Sequence, residues 1–106
     1  MNREQAVFRA LADPSRRAIF RLLAQGEAPV KALVAGFEVS QPAISQHLAK
    51  LKGAGLVADR REGRLVYYRL DPDGLRPLVD WLAHYRAFWP GRVDRLQELL
   101  EEIQDE

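Results

Sequence analysis

Three observations on the sequence predict a mainly α fold with one β-hairpin. Apolar residues recur at helical spacing up to Gly53, a β-branched and aromatic run of period two flanks Gly63, and helical spacing returns from Pro72. At 106 residues the chain has room for one small domain, residues 1–106. An apolar fraction of 47% with 29% charged residues fits a folded soluble domain and excludes disorder. No apolar run approaches the ~20 residues of a membrane helix. The opening MNREQAVF lacks a signal-peptide core. No membrane partner and a cytoplasmic location are therefore expected. Without cysteine, disulfides, thiolate metal sites and cysteine nucleophiles are excluded.

Each element has a local reason. Asp13-Pro14 starts a helix, because Asp caps and Pro suits the first turn. It separates a first helix, about Arg3–Leu11, from a second, about Pro14–Ala24, which carries Ala18, Ile19, Leu22 and Leu23 on one face. Pro29 opens a third helix with Val30, Leu33, Val34 and Phe37, and Gly36 lies near its end. Ser40 caps a fourth, with Ile44, Leu48 and Leu51 at i, i+4 and i+7, and Gly53 and Gly55 stop it. Two strands within residues 57–70 turn at Gly63-Arg64. From Pro72 a helical stripe runs through Leu75, Leu78, Leu82, Trp89, Val93, Leu96, Leu100 and Ile103, with a kink or break expected at Pro90-Gly91.

The net charge of +1 is unevenly spread. The last ten residues, QELLEEIQDE, hold five acidic side chains and no basic one, leaving 16 basic against 10 acidic residues over 1–96. Ser40–Leu70 holds six basic residues and two acidic, which suggests an anionic partner. Within residues 30–52, two short helices joined by about Gly36–Ser40 form a helix-turn-helix pattern whose second helix shows Gln41, Ser45, Gln46 and Lys50 outward. Gln pairs with adenine and Ser with several bases. The same spacing also describes a plain αα-hairpin with a polar face. The wing-like hairpin at 57–70 favours DNA, since Arg60, Arg61 and Arg64 around its turn have the reach to meet phosphates. Edge strands also carry basic residues to prevent aggregation. The alternative function is a protein–protein interaction module that sets the helix pair and basic hairpin on an acidic partner.

The strings FRALADPSRRAIFRLLAQGE, VSQPAISQHLAKLKGAGLV and DRREGRLVYYRL resemble the ArsR-type winged helix-turn-helix repressors. The stretch LVDWLAHYRAFWPGRVDRLQELL is similar to the metal-independent, autorepressor-like branch. The resemblance covers nearly the whole chain. It implies an α-α-α-α-β-β-α order and a homodimeric repressor on an inverted-repeat operator of double-stranded DNA. It also implies an interface built from the first and last helices, about residues 1–11 and 73–104. Carried over, the DNA-facing positions are Gln41, Pro42, Ser45 and Gln46, next to the cap Ser40. His47, Lys50, Arg61 and Arg64 are expected at the DNA backbone. Pro42 offers only a carbonyl and ring edges, so it suits helix initiation better than base readout.

Dimerisation is expected on physical grounds as well. Val7 and Leu11 on the first helix and Leu82, Tyr85, Trp89 and Leu96 on the last segment are the candidate interface. Trp81, Tyr85, Phe88 and Trp89 would bury ~150–250 Å² each, more than a monomer comfortably exposes. Where metal-sensing members carry Cys-x-Cys, this chain reads PVKALVAGF. Asp80 and His84 stand at i, i+4, with Asp94 a distant third, short of a ligand set, so no metal or other cofactor is expected. The inducer is not legible. No catalytic constellation is present: there is no phosphate loop and no close carboxylate pair, and His47 lacks a partner acid in sequence, so no enzyme is expected.

Overall fold

A computed structural model describes residues 2–88 and 92–105. The elements run α1 (Arg3–Leu11), α2 (Pro14–Leu23), β1 (Ala28–Pro29), α3 (Val30–Ala35), α4 (Gln41–Gly53), β2 (Val57–Glu62) and β3 (Leu65–Leu70). A 3₁₀ turn at Pro72–Leu75, α5 (Arg76–Ala83), a second 3₁₀ turn at Arg86–Phe88 and α6 (Arg92–Asp105) complete the order. The mainly helical fold with an antiparallel hairpin is as the sequence predicts.

Helix starts follow their caps. Asp13 accepts the backbone N–H groups of Ser15 at 2.8 Å and Arg16 at 3.1 Å. The Arg16 N–H, first among several causes, holds the Asp13 carboxyl below its usual range. Two arginines of α2 then close the end of α1. Arg16 Nε donates to the Ala10 carbonyl at 2.6 Å, and Arg17 Nη1 donates to Leu11 and Ala12 at 2.8 and 3.0 Å. They satisfy carbonyls that a helix end leaves without partners, so these two cations serve the fold.

One apolar cluster holds α1, α2, α3, α4 and the base of the hairpin together, with Val7, Ile19, Leu33, Ile44, Leu48 and Leu56 at its centre. At the end of α4 the Leu56 N–H donates to the Leu51 carbonyl at 3.0 Å and the Gly55 N–H to Lys52 at 2.9 Å. This paired closure turns the chain straight into β2, with Leu51 and Leu56 both buried. The β2–β3 register leaves Gly63-Arg64 as a two-residue loop, with Gly63 at φ 62°. A positive φ at the first loop position suits the right-handed twist of the strands, and glycine adopts it without steric cost.

Four expectations need correction. The sheet has a third strand, because Ala28 and Pro29 pair with Tyr68 and Tyr67 to give the order β1-β3-β2. Pro29 lacks an N–H, so an outer strand is where it fits, and it caps α3 rather than entering it. Phe37 lies beyond α3, although it still packs on the core. The last segment breaks before the expected Pro90-Gly91: α5 stops at Ala83, where the His84 N–H donates to the Trp81 carbonyl at 3.2 Å and the Tyr85 N–H to the Leu82 carbonyl at 3.0 Å. No Gly or Pro marks that stop in sequence; Tyr85 packs against Trp81 there with the rings tilted by 54° and their centroids 5.0 Å apart. Finally, Val7 is only 1% exposed and belongs to the protomer's own core, so a second copy has no access to it. The kink at Pro90-Gly91, Trp89, and the side chain of Val93 lie outside the described residues.

The 3₁₀ turn at Pro72–Leu75 presses on the α4–β2 corner. The Asp71 N–H donates to the Leu56 carbonyl at 2.9 Å. A Cβ built on buried Gly74 would stand 1.9 Å from the Gly55 carbonyl oxygen, a distance no side chain tolerates. Gly74→Ala therefore must push the turn off the corner, at about 2 kcal/mol or more. Urea unfolding should show a lower midpoint at unchanged slope; an unaltered midpoint would contradict this packing.

Candidate nucleic-acid interface

α4 is two-faced by its own periodicity. Ile44, Leu48 and Leu51 are buried against α1, α2 and α3, so the positions between them have no choice but to face out. Gln41, Pro42, Ser45, Gln46 and Lys50 are all exposed. Ser40 Oγ accepts the Ala43 N–H at 3.3 Å, which commits this hydroxyl to starting the helix. Pro42 sits in the first turn, as its fixed φ allows. His47 is half-buried, on the flank that leads towards the start of α2, where its charge favours ionised Asp13.

The hairpin stands beside this helix and closes a groove of about 590 Å³. Gln41 and Ser45 of α4, Arg64 of the loop, and Lys31 and Val34 of α3 line it, with Tyr68 among the β3 residues on its wall. Polar side chains able to read base edges thus share one concavity with two cations. Lys50 is not part of it. Nine residues on from Gln41 it falls on the opposite flank of α4, in a second cleft of about 310 Å³ that it lines with Arg9 and Arg16.

The sequence profile described as "Bacterial regulatory protein, arsR family" matches residues 13–59. An arsenic resistance transcriptional regulator of Pseudomonas putida is 44% identical over 95 residues, 89% of this chain and 69% of that protein. A transcriptional repressor of Bacillus subtilis is 37% identical over 79 residues, 74% of this chain and 88% of its own. Among solved structures, the homodimeric winged helix-turn-helix DNA-binding domain of a possible ArsR-family regulator from Mycobacterium bovis superposes with a TM-score of 0.65. It is 34% identical, covering 81% of this chain and 82% of that one. The chain belongs to the ArsR family. It is a regulatory protein and not an enzyme.

Strand alternation decides what the arginines of this ArsR-family wing do. Residues directly opposite in an antiparallel pair share a face. Arg61 pairs with Val66 and so shares the face of the groove-lining Val66 and Tyr68. Arg60 pairs with Tyr67 and takes the other face, where its guanidinium lies 4.5 Å from the Tyr67 ring centroid. There it binds Glu27 and Glu62, and those hydrogen bonds hold its pKa above the usual arginine value. Arg60, counted in sequence among cations available to phosphate, is already paired. Lys52 Nζ meets Asp59 at 3.0 Å, tying the end of α4 to the start of β2. That carboxylate also raises the Lys52 pKa.

Sequence reasoning missed Lys31 because its role needs the groove. Only its place in the second turn-residue of α3, one step from the pattern Val30, Leu33, Val34, hinted that it faces out. Among the described residues, no three His, Asp or Glu side chains converge closely enough to hold a metal ion.

The groove generates one prediction. Lys31→Ala should weaken duplex binding equally for all sequences and flatten the dependence of log K on log salt by ~0.9, as loss of one phosphate contact does. Fluorescence anisotropy at several salt concentrations measures both, and an unchanged slope would remove Lys31 from the interface.

Proposed function

We propose that the protein is a sequence-specific transcriptional repressor that binds an inverted-repeat operator as a homodimer. The observation that carries this reading is the groove in which Gln41 and Ser45 meet Arg64 and Lys31. Base-edge readers on a rigid, capped helix lie beside cations that anchor to phosphate, and that combination is what sequence-specific recognition of duplex DNA requires. Gln41, Ser45 and Gln46 read bases; Arg61, Arg64 and Lys50 hold the backbone. The repressor sense is supported by the similar Bacillus subtilis protein, and the cytoplasm is where such a regulator meets its DNA.

The homodimer rests on an exposed aromatic run. Phe8 of α1 stands edge-on to Trp81 at 5.4 Å, Trp81 meets Tyr85, and Tyr85 meets Phe88 at 6.4 Å, with Phe88 itself 76% exposed. Leu99 and Ile103 of α6 are also exposed. Such a surface is large for a monomer. A two-fold axis through α1 and α5 buries it and sets two recognition helices about one DNA turn, ~34 Å, apart. Phe8 replaces Val7 in this interface, and half-buried Leu11, Leu82 and Leu96 form its margins. The similar Mycobacterium bovis domain is itself homodimeric.

We expect that no metal is the signal, because the sequence supplies no cysteine thiolate to hold a thiophilic one.

Binding measured on the protein's own promoter region and on random duplex tests the reading. The promoter should be preferred by ~10³-fold or more, with affinity falling steeply with salt. Equal binding to both would end it. Gln41→Ala should cost ~1–3 kcal/mol of discrimination, whereas Arg64→Ala should weaken all sequences alike. In sedimentation at micromolar concentration the wild type should run as a dimer. Tyr85→Asp and Leu82→Asp should yield a 12.1 kDa monomer with little operator affinity; a monomeric wild type that binds its operator would refute the dimer. Arsenite, zinc and copper should leave operator binding unchanged, and stoichiometric loss at micromolar metal would show a sensor.

A further inference from the structure

The groove face of the wing carries Arg61 and the loop Arg64, while the opposite face carries a cluster with no part in that groove. Glu27, in the turn before β1, sends its carboxylate across β3 to Arg60 on β2, 33 residues away. Arg60 Nε donates to both carboxylate oxygens at 3.1 and 2.9 Å, and Nη2 donates to Oε1 at 2.6 Å. Its third nitrogen, Nη1, donates to Glu62 Oε2 at 2.6 Å. Between the two acids the guanidinium lies over the Tyr67 ring. All three nitrogens are thus committed, and the group crosses the width of the three-stranded sheet, from outer strand to outer strand.

Stability does not explain such an arrangement. The Arg60 side chain is 43% exposed, and exposed ion pairs contribute little to folding. What a planar, bidentate and stacked guanidinium does supply is orientation. The hairpin is two six-residue strands, and among the described residues its only strand neighbour at the outer edge of β3 is the two-residue β1. An unrestrained ribbon of this kind is marginal in water and twists freely. Lys52–Asp59 ties it down at its base, on the groove face. Arg60 ties it one residue from Arg61 and four from Arg64, on the other face.

We infer that Arg60 is a positioning residue: with Glu27 and Glu62 it forms a strap across the back of the sheet that aims Arg61 and Arg64 at the DNA backbone. This deepens the DNA-binding reading and rests on it. The strap also pairs Glu27 and Glu62 with one cation, and Lys52 holds Asp59, so the carboxylates around the hairpin are engaged away from Arg61 and Arg64.

Charge and geometry make opposite predictions for one substitution, which is what allows a test. Glu27→Gln removes a negative charge from the protein beside the wing, so electrostatics alone predicts tighter binding of a polyanion. The strap predicts weaker binding, because the wing loses its aim. Affinity and salt slope are measured by anisotropy for the wild type, Glu27→Gln, Arg60→Lys and Arg64→Ala, with thermal unfolding alongside.

The expected result is a ~5- to 10-fold loss for Glu27→Gln and for Arg60→Lys, on cognate and random duplex alike. It comes with a slope flatter by ~1 and a nearly unchanged melting temperature. Arg60→Lys combined with Arg64→Ala should lose less than the two single losses together, since one acts through the other. Binding by Glu27→Gln as tight as wild type or tighter, with an unchanged slope, would overturn the strap and leave the DNA reading intact. A wild type that shows no salt-dependent duplex binding would instead overturn the DNA reading, and the strap's role with it.

Discussion

Burial of Ile44, Leu48 and Leu51 is the constraint on which the interface depends. None of the three is more than 1% exposed, and together they allow α4 one rotational setting in the core. Turning the helix by a single residue, 100°, would bury Ser45 and expose Ile44, at a cost of several kcal/mol in apolar surface and unpaired polar groups. The outward face is thus held as rigidly as the inward one. Ser40 at the helix start and the Leu51–Leu56 closure at its end extend that rigidity into the turn and the wing.

The wing inherits its geometry from the same packing. Because Val57 is buried beside the end of α4, strand alternation sends Asp59 and Arg61 to the groove face and Arg60 and Glu62 to the other. One residue of register separates an arginine that faces the groove from one that faces two carboxylates. The charge of Ser40–Leu70 is therefore divided by function: Lys52 and Arg60 are held in ion pairs within the protein, and Arg61, Arg64 and Lys50 are presented outward. Protonation would undo the carboxylate side of this. Hydrogen bonds from Arg60 keep the Glu27 carboxyl below its usual range, so the Glu27–Arg60 pair is present above ordinary carboxylate pH and is lost as pH falls below it.

The far end of the molecule follows a different logic. α5 and α6 cover the core with one side, Val79 and Leu100 buried, and leave aromatic and aliphatic side chains on the other. Relatives of this chain include proteins named for arsenic resistance, whereas its own sequence holds no cysteine.

The sequence by itself determined the helix starts at Asp13 and Ser40, the two faces of α4 with Gln41, Ser45 and Gln46 on the exposed one, and the hairpin turn at Gly63. Each of these is written within a few residues, as a cap, a period or a turn, and local physics suffices to read it. Only the tertiary structure decided the rest. That Val7 is core and Phe8 surface, that Lys31 joins Arg64 across a groove, that Lys50 falls on the opposite flank, and that Arg60 serves Glu27 all depend on segments distant in the chain. The end of α5 at Ala83 belongs here too, because no breaker marks it and the contact of Tyr85 with Trp81 accompanies it. Periodicity says which side of an element is apolar; which neighbour meets that side is a property of the assembled core.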